Sequence, residues 1–317
     1  MTDTQNEVFK TPVNKIRLFE HGAPGSQNLK LTRKYYTEDM PDGRVKHIVQ
    51  NITDPDIVPY IPDGIGNSTD RQRIPAVLII PGGAFRRLVY NFEGEDVAKW
   101  LNSMGIAAFV LECRLPSDEH DNAEDVSLID AMRAMRVIRG RAQEFGIDEA
   151  KIGVMGFSAG GFMAALLSTA YESDVYADYK YKDEYDKLSA RPDFAVCSYP
   201  VISIDDCIEA GKRYMSEEQV LERISDGKAK ILHKYNPDKL VRPDMPPVFI
   251  CETDDDRTTL SENSVGFYMA ARKAGVSAEL HIFRTGGHGY GCGDDFAQTG
   301  EWKVLFTKWI KSIGIIS

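Results

Sequence analysis

From Ile74 to the C-terminus, short uninterrupted apolar runs alternate with stretches whose apolar residues recur every three or four positions. A strand that is apolar at every position needs cover on both faces, and an amphipathic helix needs one face to cover. Together they define an α/β chain: a mostly parallel central sheet of about eight strands flanked by helices. The strand runs are PAVLII (75–80), AAFVLE (107–112), KIGVM (151–155), FAVCSY (194–199), VFICE (248–252) and AELHIF (278–283). Val97, Trp100, Leu101 and Met104 mark a helix that stops at Gly105, and Leu128, Met132, Met135, Ile138, Ala142 and Phe145 mark one long helix ending near Gly146. Further helices are predicted directly after Ser158, from about Ser261 to Gly275, and along Trp302, Leu305, Phe306, Trp309, Ile310 and Ile313. The last stripe reads as core packing.

With 317 residues, 43% of them apolar, the chain can bury one large core, and 1–317 reads as a single domain. Residues 1–74 hold antiparallel strands around VKHIVQNI (45–52) and DIVPYI (56–61), followed by the turn-rich PDGIGNSTD (62–70). Two stretches break the rhythm and are candidate lid or cap insertions, weighed against plain solvated surface: the Tyr-rich 172–190 and the weakly patterned 203–243. No apolar run approaches the roughly 20 residues that span a bilayer, and MTDTQNEVFK lacks a basic region followed by an apolar one. A cytoplasmic protein without a membrane partner is expected. Five cysteines, odd in number and widely spaced, argue against a disulfide framework. A net charge of -10 argues against a nucleic-acid partner, because that affinity depends on clustered Lys and Arg. A small-molecule substrate fits better, and homo-oligomerisation stays open.

Gly156-Phe157-Ser158-Ala159-Gly160 has the form G-x-S-x-G, in which a serine occupies a strained strand-to-helix turn. Its specificity comes from context, since KIGVM reads as the strand before it and AGGFMAALLSTA as the helix after it. A serine hydroxyl needs a base, and in the chain order of this arrangement an acid and then a histidine follow the nucleophile. Beyond Ser158 stand His233, His281 and His288. His233 falls in a predicted helix and His281 alternates within a strand, whereas His288 lies in Gly286-Gly287-His288-Gly289, a loop just past a strand. His288 is therefore the candidate base. After VFICE come Asp254, Asp255 and Asp256, and spacing alone does not choose among them as the orienting acid. Pro81-Gly82-Gly83-Ala84-Phe85 ends its strand where backbone N–H groups can bind an oxyanion, which nominates Gly83 and Ala84 together with Ala159. Phe85 and Arg86 then become candidate substrate contacts. The sequence has no HExxH, paired CxxC, P-loop or GxGxxG string on which a metal, phosphate or dinucleotide site could rest.

Taken in order, PGGAF, EGEDVAKWLNSMGIAAFVLECRL, GIDEAKIGVMGFSAGG, RPDFAVCSYPVIS, PPVFICETDDD and GGHGYG resemble the bacterial acetyl-esterase and xylan-esterase-like branch of the α/β hydrolases. The early RLFEHGAPGS is similar to that branch's N-terminal segment, so the resemblance covers roughly residues 16–314. It implies the α/β-hydrolase fold and a short-chain acyl esterase, often acting on acetylated sugars, with no cofactor. The family's acid is an aspartate followed by two residues and then Val-Pro; Asp256-Arg257-Thr258-Thr259-Leu260 takes that register and favours Asp256, although Val-Pro itself is missing. Ala84 replaces the third glycine of the usual PGGG, and Cys113 stands where tyrosine commonly precedes Arg-Leu. Two other functions compete: a prolyl-oligopeptidase-like peptidase, which would need a large extra domain, and a non-catalytic binding protein on the same scaffold, which would lack a member of the Ser, Asp and His set.

Overall fold

The apolar runs become strands at the centre of one large sheet. In chain order the strands are β1 (Ile16–Arg17), β2 (Lys34–Asp39), β3 (Val45–Gln50), β4 (Asp56–Tyr60), β5 (Ile74–Ile80), β6 (Leu88–Val89), β7 (Ala107–Glu112), β8 (Ile147–Phe157), β9 (Ala195–Ser198), β10 (Val248–Thr253) and β11 (Ala278–Phe283). The computed structural model describes residues 9, 13–64, 73–213, 216, 218–219, 228–293 and 298–317. Eight strands form a sheet in the order β1-β4-β7-β5-β8-β9-β10-β11. It is parallel from β7 to β11, while β4 joins β7 and β1 joins β4 antiparallel. Every residue of β7, β9 and β10 is buried, as the continuous apolar runs require.

The chain leaves β5 towards β7 on one side and then returns past it to β8 on the other. Right-handed crossovers therefore put the first connecting helix, α1 (Asp96–Ser103), and the second, α2 (Val126–Gly140), on opposite faces. The other helices bounded among the described residues are α3 (Ala142–Phe145), α4 (Ala159–Ala170), α5 (Ile204–Lys212), α6 (Lys228–Lys234), α7 (Ser261–Lys273) and α8 (Trp302–Ser312). On the α2 face, α4 packs beside α2 and edges its Phe162 against Phe85. On the other face, Trp100 of α1 meets Trp302 and Phe306 at the start of α8, so the C-terminal aromatic stripe is core packing. The reversal of strand order at β5 opens a crevice at the strand C-termini, the usual ligand position in such sheets.

Two expectations change. The stripe from Leu128 to Phe145 is two helices, broken at Arg141 after Gly140; a Cβ on Gly140 would stand 2.3 Å from the Tyr185 ring. The two N-terminal strands are both antiparallel to their neighbours and join different sheets: β4 extends the main sheet, whereas β3 sits between β2 and β6 in a separate sheet. The Tyr-rich 172–190 segment leaves the C-terminal end of α4 and leads into β9, on the side of the strand N-termini. Arg133 of α2 pairs there with Asp183 and Asp186, and Arg136 bonds Tyr176 and the Leu188 carbonyl. It buttresses α2 and does not cover the crevice. The 203–243 stretch does leave from the crevice side, after β9, and Lys234 and Tyr235 bond Asp125 just before α2. Within it, 214–215, 217 and 220–227 lie outside the described residues, as do most of MTDTQNEVFK and residues 65–70 of the turn-rich segment. Among the described residues no helix is long and apolar enough to cross a membrane.

Candidate active site

Ser158 stands between the end of β8 and the first residue of α4, with φ 53° and ψ -117°. A non-glycine residue in that region is strained by about 1–3 kcal/mol and persists only where its surroundings over-determine it. Here they do. Ser158 N–H donates to the Ser198 carbonyl at 3.0 Å, and its own carbonyl accepts from Phe162 at 3.0 Å. The flanking glycines are needed for space: a Cβ on Gly156 would lie 1.9 Å from the Gly160 oxygen, and one on Gly160 would lie 1.9 Å from the Ile80 oxygen. The turn is thus pressed against the end of β5, and Ser158 keeps only 7% exposure.

His288 Nε2 lies 2.8 Å from Ser158 Oγ, and Nδ1 lies 2.6 Å from Asp256 Oδ2. The Asp256 side chain is fully buried. Its Oδ1 accepts the N–H groups of Thr258 (2.7 Å) and Thr259 (2.9 Å), and Oδ2 also accepts the Thr259 hydroxyl (3.0 Å). Burial pushes the Asp256 carboxyl up, but the His288 hydrogen bond and charge and the two backbone donors outweigh it and leave it below the usual carboxylate range. An ionised Asp256 only accepts, so Nδ1 carries the ring proton and Nε2 is left to accept from Ser158. The neighbouring acids separate by role. Asp255 Oδ1 accepts from Gly286 (2.9 Å) and Gly287 (2.8 Å) and ties down the loop that carries His288, while Asp254 is exposed. His233 is exposed, and His281 pairs with Glu279 on β11.

The chain after β5 runs through three successive residues with positive φ: Gly83 at 138°, Ala84 at 59° and Phe85 at 61°. Among the described residues the N–H groups of Gly83 and Ala84 meet no protein acceptor, and Ala159, as the first residue of α4, has no intrahelical partner for its own. The Gly82 N–H, in contrast, donates to Glu93 Oε2 at 2.8 Å. Phe85 lines a small cavity together with Gly82 and Ala159. Its ring is 5% exposed and stands edge-on to Phe162 at 5.5 Å, because the left-handed backbone turns it into the core. Arg86 is half-buried, and its carbonyl accepts from Gln50.

Four residues were not singled out from sequence: Glu93, Tyr199, Thr259, and Asp255 as a loop anchor. Glu93 is 5% exposed in a π-helical turn (Asn91–Glu95), and burial raises its carboxyl while the nearby His288 lowers it. The one signal for it was a carboxylate inside the string EGEDVAKW. Among the described residues no group of three or more His, Cys, Asp or Glu could hold a metal ion.

A serine hydroxyl hydrogen-bonded to an imidazole that a buried carboxylate holds in turn can carry out acyl transfer. The BD-FAE family model matches residues 65–270. An acetylxylan esterase of Xylanibacter ruminicola is 30% identical over 240 residues, 75% of this chain and 45% of that protein. Endo-1,4-beta-xylanase B of Butyrivibrio fibrisolvens is 30% identical over 227 residues, 71% of this chain and 34% of that one. The chain thus spans less than half the length of these curated relatives. Among solved structures, the acetyl ester-xyloside bifunctional hydrolase from Caldicellulosiruptor lactoaceticus aligns with a TM-score of 0.67 and 38% identity, covering 83% of this chain and 90% of that one. A propionate-bound thermophilic esterase from Thermogutta terrifontis aligns at 0.64 and 25% identity, covering 93% and 96%.

Proposed function

The chain belongs to the BD-FAE family of α/β hydrolases, and from that membership and the geometry of the site we propose that it is a serine carboxylesterase that removes short acyl groups, acetyl first, from carbohydrate-like alcohols. The observation that carries this reading is the continuous hydrogen-bonded line from Ser158 through His288 to Asp256. Ser158 Oγ attacks the ester carbonyl as His288 Nε2 takes its proton, and Asp256 holds the imidazolium. The N–H groups of Gly83, Ala84 and Ala159 receive the oxyanion. Collapse expels the alcohol, which takes the proton from His288, and leaves an acyl group on Ser158. Water, deprotonated by the same His288, then releases the carboxylic acid and restores the serine.

Acetylated sugars come from the relatives, which are an acetylxylan esterase and an acetyl ester-xyloside hydrolase by name. A short acyl group is supported by the cavity beside Ala159, Gly82 and Leu115, which has a volume of about 10 Å³. That is space for about one water-sized group. The buried thiols of Cys113, Cys197 and Cys251 support a reducing, cytoplasmic setting. The test is kcat/KM for p-nitrophenyl esters from acetate to decanoate, with acetate release from acetylated xylose. A roomy apolar channel would add about 0.8 kcal/mol of binding for each buried methylene. We expect the reverse, with the maximum at acetate or propionate. A maximum at octanoate or beyond, or no release from any acetylated sugar, would overturn the substrate assignment.

A further inference from the structure

We propose that Glu93 is the positioning residue of the oxyanion-binding loop, and that its carboxyl fixes that loop relative to the loop that carries the base. The inference rests on the function proposed above. The two oxygens of Glu93 reach in different directions. Oε2 accepts the N–H of Gly82, the residue immediately before the Gly83 and Ala84 donors, at 2.8 Å. Oε1 accepts the Tyr199 hydroxyl at 2.9 Å, and that same hydroxyl oxygen accepts the Gly291 N–H at 3.0 Å. Gly291 ends the stretch containing His288, and the Tyr199 ring stands edge-on to the His288 imidazole at 5.1 Å. One side chain therefore links the stem of the donor loop to the back of the base.

The loop needs such an anchor. Ala84 and Phe85 both hold left-handed φ values, a conformation that costs about 1–3 kcal/mol per non-glycine residue and must be held by neighbours. The other ties lie further along the loop, where Val89 N–H donates to the Gly82 carbonyl and Arg86 N–H to the Gly83 carbonyl. Only Glu93 holds the amide that precedes the two donors. The contact is also close, since a Cβ on Gly82 would stand 2.8 Å from Glu93 Oε2. Tyr199 is itself held at φ 36°, so the second arm of the bridge is no looser than the first.

A donor loop that shifts by an ångström weakens the transition state while leaving ground-state binding of the ester nearly intact. Glu93→Ala should therefore lower kcat for p-nitrophenyl acetate by about a hundredfold, the scale of losing one oxyanion donor, and change KM less than about threefold. Glu93→Gln can still turn an oxygen to Gly82 N–H and its amide to Tyr199, and should recover at least about tenfold of that loss in kcat. Tyr199→Phe keeps the Gly82 contact and should lose less than Glu93→Ala. Thermal melts accompany each variant, and Gln restoring kcat by more than its melting temperature recovers is the expected result. A Glu93→Ala enzyme with kcat within threefold of the parent, or a loss expressed in KM, overturns the proposal. So does a Gln variant as impaired as Ala while equally folded. Ser158→Ala is run beside them: turnover surviving there defeats the esterase mechanism itself, a result no Glu93 variant can imitate.

Discussion

At the level of single residues, Asp256 shows how environment assigns a role among three adjacent carboxylates. Asp254 faces solvent, Asp255 ties the Gly286-Gly287 backbone, and Asp256 alone is buried beneath His288. Without that acid the imidazole loses its tautomer, a loss of about ten-thousandfold in turnover for a comparable change in a serine protease. We expect a loss on that scale for Asp256→Asn in kcat, whereas Asp255→Asn should act through the loop and cost less. The pH dependence follows from the direction of the shift. The folded carboxyl lies below the unfolded value of about 3.9, so it contributes stability above that pH, which is lost as pH falls through the folded value. Urea denaturation of parent and Asp256→Asn should show a constant gap above about pH 5 that narrows below about pH 4. A gap that widens on acidification would contradict the sign. Ser158 and His288 were legible in the sequence because each needs local glycines. Asp256 needed a register borrowed from a family pattern, and Glu93 was not legible because its partners, Gly82 and Tyr199, are 11 and 106 residues away.

Among the elements, the site depends on how closely the turn after β8 approaches the end of β5. Gly160 is the contact point: an added Cβ would meet the carbonyl oxygens of Ile80 at 1.9 Å and Pro81 at 2.8 Å, and backbone cannot swing aside as a side chain can. Gly160→Ala should therefore push the elbow and the donor loop apart. We expect destabilisation of about 1–3 kcal/mol and at least about a hundredfold lower kcat/KM, read by chemical denaturation and p-nitrophenyl acetate turnover. Wild-type values for both would show that the approach is not needed. The strands were legible because the apolar runs are continuous. The break at Arg141 was not, since Gly140 yields to the Tyr185 ring arriving from a segment with no periodicity of its own. The N-terminal strands were visible as strands, but which sheet each would join depends on edges formed by β6 and β7, later in the chain.

Over the whole molecule, the sheet brings together residues from β5, β8, β10 and β11 that are up to 205 positions apart in the chain, from Gly83 to His288. Topology achieves this, because parallel strands place all their C-termini along one edge and the reversal at β5 opens the crevice there. The same topology sends the 172–190 segment to the opposite side, which a polar, Tyr-rich composition could not reveal. Everything proposed for the chemistry passes through one oxygen atom, Ser158 Oγ. The most direct measurement is to react the protein with a p-nitrophenyl phosphonate and locate the adduct by intact mass and peptide mapping, with activity followed in parallel. The account predicts one phosphonyl group per chain, on Ser158, complete loss of esterase activity at full labelling, and no labelling of Ser158→Ala. An adduct on another serine with parallel loss of activity, or full activity after Ser158 is modified, would contradict it.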